Sequence, residues 1–258
     1  MTRMKIGYCP LASGSKGNCI LVKTEQATLL FDMGISLKQL ENALHRFAIN
    51  IEEIDAVIVS HEHTDHICGI PALVKRHPIP IIANADTTKA LFAYAKTTLP
   101  CKIFVTGEPF SFKDVKVHPF SVQHDTLDPV AFTVGYKEEK LGICTDLGFA
   151  TTFIERHLSG CTYLYIESNH DIEMVHASSR SFVYKQRVLS RQGHLSNESA
   201  AALLKKIIHK KLRHIYLAHL SEECNTKEKA IESVRNKIGS SIQLDVALQW
   251  ESSSFVEF

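Results

Sequence analysis

The sequence predicts a layered α/β protein whose sheets are covered by helices, and three observations predict it. Short apolar runs rich in valine, isoleucine and aromatic residues recur along the whole chain. Segments with apolar residues at helical spacing lie between them, after an opening stretch of strands alone. The 258 residues are enough for one large domain with a real core, or at most two small ones.

The elements follow in order. "MKIGYCPL", "CILVKT" and "ATLLFDMG" read as strands, the last two forming a hairpin with a polar turn at Glu25–Gln26. "SLKQLENALHRF" places Leu37, Leu40, Leu44 and Phe47 on one helical face, with Ser36 positioned to cap it. "DAVIVSH" is a buried-strand run, followed by a helix over "CGIPALVKRH", a strand at "IPIIANA" and a helix at "DTTKALFAYAK". Three strands, "VKVHPFSV", "VAFTVGYK" and "KLGICTD", then precede the helix "TTFIERHL" and the strand "CTYLYIES". The helix "SNESAAALLKKIIHK", the strand "HIYLAHL", the helix "NTKEKAIESVRNKI" and the strand "IQLDVALQW" complete the chain. There is no solenoid-length repeat, low-complexity tract or clear linker.

Composition narrows the function classes. Lys and Arg number 29 against 28 Asp and Glu, a net charge of +1, so a polyanion must be gripped by a local patch and not by bulk charge. The opening stretch has no long apolar run, and no later segment reaches about 18 unbroken apolar residues. A soluble, cytoplasmic protein without a membrane partner is expected. Seven cysteines, an odd number with no CxxC pair, read as reduced thiols and argue against a zinc finger.

The 14 histidines are the unusual count, and they concentrate at "SHEHTDH", residues 60–66. In an extended segment residues two apart point the same way, so His61 and His63 can reach one metal ion. Asp65 and His66 follow across a bend and point elsewhere. Imidazole nitrogen and carboxylate oxygen in this mixture suit zinc and similar divalent ions. The stretch is not HExxH, since position 65 is Asp.

"HEHTDH" also fits the HxHxDH signature of the metallo-β-lactamase fold superfamily. Its other markers resemble "LLFDMG", "VQHD", "CTDLG" and "LAHLS", giving Asp32, His124, Asp146 and His219 in the expected order. The segments "SGSKGN", "QHDTLDPVAF", "IESNHDIEM", "KQRVLSRQGHLSNE" and "LAHLSEECN" resemble the WalJ/YycJ-like branch, bacterial proteins to which a 5′→3′ exonuclease activity on DNA is attributed. The resemblance implies an αββα sandwich of two mixed sheets flanked by helices, as a single domain over residues 1–258 with no large insertion. It implies two divalent metal ions (Zn, Mn or Fe): His61, His63 and His124 on the first, Asp65, His66 and His219 on the second, Asp146 bridging both. A hydroxide between the ions would attack a phosphodiester. Asp65, His194 and Glu167 are then the candidate catalytic groups, His194 meeting the scissile phosphate or the leaving oxygen and Glu167 orienting it.

Other residues read less sharply. Asp32 ends an apolar strand and is expected to accept hydrogen bonds that orient the ligand loop; a purely structural role is equally consistent. "SSRSFVYKQRVLSRQ" mixes Lys185, Arg187 and Arg191 with aromatics, a pattern that grips phosphates and stacks bases or forms a solvated helical face. "SGSKGN" offers Ser15 and Asn18 to a substrate, or is simply a hairpin turn, and lacks the P-loop pattern. DNA is the expected substrate, with no obligate protein partner. The competing readings are a small ester, thioester or lactam hydrolase, a tRNA-processing type endonuclease, and a non-catalytic binding protein that keeps the fold.

Overall fold

The computed structural model describes residues 6–258, so Met4 and Lys5 of the first expected strand lie outside the described residues. The chain divides into two compact units. The first runs to Pro119 and includes Thr126–Val130 and Leu248–Phe258; the second comprises Phe120–Asp125 and Ala131–Ala247.

One mixed seven-stranded sheet contains β1 (Gly7–Ala12), β2 (Cys19–Lys23), β3 (Thr28–Phe31), β4 (Ala56–Ile58), β5 (Ile81–Ala83), β6 (Cys101–Ile103) and β14 (Val256–Glu257), in the order β14-β1-β2-β3-β4-β5-β6. β14, β1, β2 and β3 pair antiparallel, and β3 to β6 pair parallel. Every residue of β1 to β5 is buried, which explains their near-continuous apolar sequences. The expected hairpin closes where Thr24 N–H donates to the Ala27 carbonyl at 2.8 Å. The parallel crossovers carry α1 (Leu37–His45), α2 (Thr64–Ile67) with α3 (Ile70–Arg76), and α4 (Ala85–Ala95). α1 starts where its sequence says: the Ser36 hydroxyl accepts from Gln39 N–H, and the Gln39 side chain accepts from Ser36 N–H. Its buried face, Leu37, Leu40 and Leu44, joins Leu21, Leu30 and Val57 in the core of this unit.

The second mixed seven-stranded sheet has the order β13-β12-β11-β10-β9-β8-β7, from β7 (Phe110–Phe112), β8 (Val115–Ser121), β9 (Val130–Tyr136), β10 (Glu139–Cys144), β11 (Tyr163–Glu167), β12 (His214–Ala218) and β13 (Gln243–Val246). β9 and β10 are antiparallel, and β10 to β13 run parallel. Between the parallel strands lie α5 (Thr152–Leu158), then α6 (Ile172–Ala177), α7 (Phe182–Val188) and α8 (Asn197–Ile207), then α9 (Lys227–Ile238). Ile166, Leu204, Leu217 and Val234 belong to one buried cluster of this unit. The two mixed sheets flanked by helices implied by the resemblance are therefore present.

β6, β7, β14 and α6 did not show in the sequence. They have two to six residues, and β6, β7 and β14 lack the buried apolar run that marks a strand. Among the described residues, no helix is long and apolar enough to cross a membrane.

The topology fixes where chemistry can gather. Asp32 follows β3, His61 follows β4, Asp146 follows β10, Glu167 ends β11 and His219 follows β12. All lie at carboxyl ends of parallel strands, the edge where open α/β sheets present ligand-binding loops.

Candidate metal centre

In the first unit the ligand loop is held by one carboxylate. Asp32 accepts three hydrogen bonds, from Ser60 N–H at 2.8 Å, the Ser60 hydroxyl at 2.9 Å and His66 Nδ1 at 2.8 Å. An ionised carboxylate only accepts, so His66 carries its proton on Nδ1 and presents Nε2 as a lone pair. The Ser60 hydroxyl donates to Asp32 and therefore accepts from His61 Nδ1 at 2.9 Å, which puts the lone pair of His61 on Nε2. The His61 ring stands 4.9 Å from that of His63 and 4.0 Å from that of His66, centroid to centroid. His63 stands at the N-terminal end of the short helix α2, and that helix brings the His66 ring nearer to His61 than the His63 ring is, so His66 does not point elsewhere as the spacing suggests.

The loop before β2 supports the same residues. Asn18 is buried; its backbone N–H donates to the Asp65 carbonyl at 2.8 Å, and its amide nitrogen lies 3.3 Å from Asp65 Oδ2 and 3.1 Å from His66 Nε2. Ser15 and Lys16 are exposed at the tip. Gly34 is required here: a Cβ would sit 1.6 Å from the Asp65 carbonyl oxygen.

In the second unit Asp146, Glu167, His194 and His219 offer donor atoms that all lie within 4.8 Å of one another. Oδ1 of Asp146 is 3.4 Å from His219 Nε2, 3.7 Å from His124 Nε2 and 3.7 Å from His194 Nδ1. His124 Nδ1 donates to the Gly193 carbonyl at 3.0 Å, so its lone pair is on Nε2, which faces the carboxylates of Asp125 and Asp146. Glu167 is fully buried and fully engaged. Its Oε2 accepts from Leu147 N–H at 2.9 Å and Leu195 N–H at 3.2 Å; its Oε1 lies 2.8 Å from His194 Nδ1 and 3.3 Å from His219 Nδ1. Burial alone would raise its carboxyl, but the His194 charge and the hydrogen bonds from His194 and His219 outweigh it and hold the group at about 2.

Asp32, Asp146 and His219 share a backbone signature, φ of 62°, 57° and 55°. For a residue with a Cβ this left-handed conformation costs about 1–2 kcal/mol. Each sits where a strand stops and the chain turns out toward the ligand loops, so local strain accompanies placement of the side chain.

Sequence reasoning missed several supports. Ser60 links Asp32 to His61. Asn169 donates to the His219 carbonyl at 2.8 Å and is itself locked by Asn225, whose amide donates to the Asn169 carbonyl at 3.0 Å. Gly193 supplies the His124 acceptor, and Asp125 holds Arg187 Nε at 2.6 Å. The available signal was position alone, since each lies beside a motif residue or in the "ESN" run. Of the expected substrate contacts, Lys185 donates to the His176 carbonyl at 2.7 Å and Arg191 lies 4.8 Å over the Phe149 ring.

The donor set is imidazole nitrogen with carboxylate, the rings of His61, His66 and His124 each fixed by a hydrogen bond on Nδ1, and it suits a divalent metal ion. Residues 27–219 match the model of the beta-lactamase superfamily domain. The chain belongs to this superfamily and is a metal-dependent hydrolase. Among its relatives, the exodeoxyribonuclease YycJ of Bacillus anthracis is 36% identical over 234 residues, 90% of this chain and 88% of that protein. The exodeoxyribonuclease WalJ of Streptococcus pneumoniae is 31% identical over 242 residues, 92% and 90% respectively. In fold, the chain is similar to the metallo-beta-lactamase fold protein YhfI of Bacillus subtilis, with a TM-score of 0.74 at 17% identity over 96% of this chain and 98% of that one.

Proposed function

We propose that the protein is a cytoplasmic, binuclear metal-dependent phosphodiesterase that degrades DNA from the 5′ end. The observation that carries this reading is the His194–Glu167 pair at 2.8 Å, set beside Asp146 and His219. His194 stands outside both ligand sets that the family motifs imply, so a buried carboxylate orienting its imidazole supports a task besides holding metal. The names of the YycJ and WalJ relatives support DNA as the substrate.

In this reading the two units act as one domain. His61, His63 and His124 would hold one ion and Asp65, His66 and His219 the other, with Asp146 serving both, as the family motifs imply. Two divalent ions would supply hydroxide near neutral pH and neutralise charge gathering on the phosphate. The chain does the rest. Glu167 accepts from Nδ1 of His194, fixing the ring so that Nε2 delivers a proton to the leaving oxygen. Asp32 and Ser60 keep His66 and His61 in the tautomer that presents Nε2. Asn18 holds the Asp65 loop, and Ser15, Lys185, Arg187 and Arg191 contact the strand.

The test is digestion of end-labelled single- and double-stranded DNA with zinc, manganese or a chelator, alongside Asp146→Ala and His194→Ala. Metal-dependent release of nucleotides from the 5′ end, lost in both variants, is the expected result. Turnover of small phosphodiesters or thioesters with DNA left intact would overturn the DNA assignment.

A further inference from the structure

Phe182 and Val183, 72% and 74% exposed, are the two most exposed large apolar side chains among the described residues. They are adjacent in the first turn of α7, whose cap Ser181 accepts from Tyr184 N–H at 3.3 Å. The rest of the helix has a packing partner: Val188 and Tyr184 join Val175, Met174 and Cys224 in a small cluster. The apolar tip contributes nothing to that cluster and stands exposed beside the basic residues of the helix.

Two further observations say what meets it. Residues 180–191 contain Arg180, Lys185, Arg187 and Arg191 and no Asp or Glu. Arg180 is paired with Glu223 and Arg187 with Asp125, so a phosphate chain would compete for guanidinium groups that are about half exposed. The other end of α7 is built into the candidate site. His194 N–H donates to the Val188 carbonyl at 3.1 Å, the Gly193 carbonyl holds His124, and Arg187 grips the residue next to His124. A seven-residue helix is about 10 Å long, close to three stacked nucleotides at roughly 3.4 Å each.

We propose that α7 is the strand-binding arm of the site: Phe182 and Val183 stack against bases of a single-stranded DNA end whose backbone follows the basic residues toward His194. The proposal rests on the DNA-hydrolysing reading above. Stacking on an aromatic face is tolerant of sequence, as degradation of arbitrary DNA requires. A protein or membrane partner would explain the apolar tip but not its continuity with His124 and His194.

The experiment compares the wild type with the Phe182→Ala/Val183→Ala double variant and with Phe182→Trp, on a single-stranded oligonucleotide and on bis-p-nitrophenyl phosphate. Both changed side chains are largely exposed, so folding is not at stake. The expected result is a fall in kcat/KM on DNA at least about fivefold greater than on the small diester, the low end for losing one base stack, carried by KM. Phe182→Trp should retain the wild-type preference. Equal falls on both substrates would mean disturbance of His124 or His194 and would overturn the proposal. Undiminished DNA cleavage by the double variant would overturn it while leaving the nuclease reading intact. A wild type that turns over the small diester but neither binds nor cuts DNA would remove both.

Discussion

Glu167 is a fully buried carboxylate with four donors around it. Its neutral isostere in Glu167→Gln must turn an amide N–H₂ toward one of those donors, so one buried contact becomes a clash of hydrogens. The expected loss is about 1–3 kcal/mol of stability, read in denaturant melts. Hydrolysis should fall by about 10²- to 10⁴-fold because His194 loses its fixed tautomer. Ser60→Ala tests the link between Asp32 and His61. Metal affinity should drop about 10- to 100-fold in competition with a chelating dye, the range for losing a group that orients a ligand. An unchanged affinity would show that Ser60 is a bystander. The histidines of residues 61–66 were legible because one strand end carries them all. Ser60 and Asn169 were not, since their roles depend on which residues of other strands lie opposite.

At the scale of elements, the buried strands and the capped helices announced themselves through apolar runs and end signals, as α1 does with Ser36 and Gln39. β14 is two residues long and β6 has two exposed residues, so neither carries a pattern that local reasoning can detect. α7 was ambiguous for another reason. Its basic residues satisfy both a solvated helix and a phosphate grip, and local pattern does not show its connection to Gly193. That connection is tight: a Cβ on Gly193 would lie 2.2 Å from the Arg187 carbonyl oxygen and 2.3 Å from that of Val188. Gly193→Ala must therefore move the carbonyl that holds His124. It is expected to destabilise by about 1–3 kcal/mol in a melt and to lower hydrolysis by more than that stability loss explains. Wild-type turnover at a temperature where the variant is fully folded would refute this.

Across the whole molecule, buried polar groups couple stability to pH. His170 is held down to about 4 by burial, with Glu167, Glu198 and Asp171 pulling it up and His194 pulling it down. A folded value below the ordinary 6.5 means that the unfolded chain takes up the proton first. The contribution is therefore complete above pH 6.5 and is lost as pH falls toward 4. Replacing this residue, His170→Asn, should remove about 2–3 kcal/mol of the stability difference between pH 7 and pH 4.5, measured by urea melts at both values. An identical difference in wild type and variant would refute the assignment. The superfamily was visible from ordered motifs, each confined to one strand end. The division into two compact units was not, because residues 126–130 and 248–258 join the first unit from far along the chain.

Three of the motif residues, Asp32, Asp146 and His219, are held in a backbone conformation that suits glycine and asparagine better. This has a consequence for descent. Backbone conformation alone would favour glycine at Asp146 and His219, and selection for the reaction keeps an aspartate and a histidine in place there. A duplicated copy released from its chemistry should drift first at Asp146 and His219, toward Gly, while Asp32 is kept for the three hydrogen bonds it accepts. Active and retired copies of this chain would then be told apart by residues 146 and 219 before any assay is run.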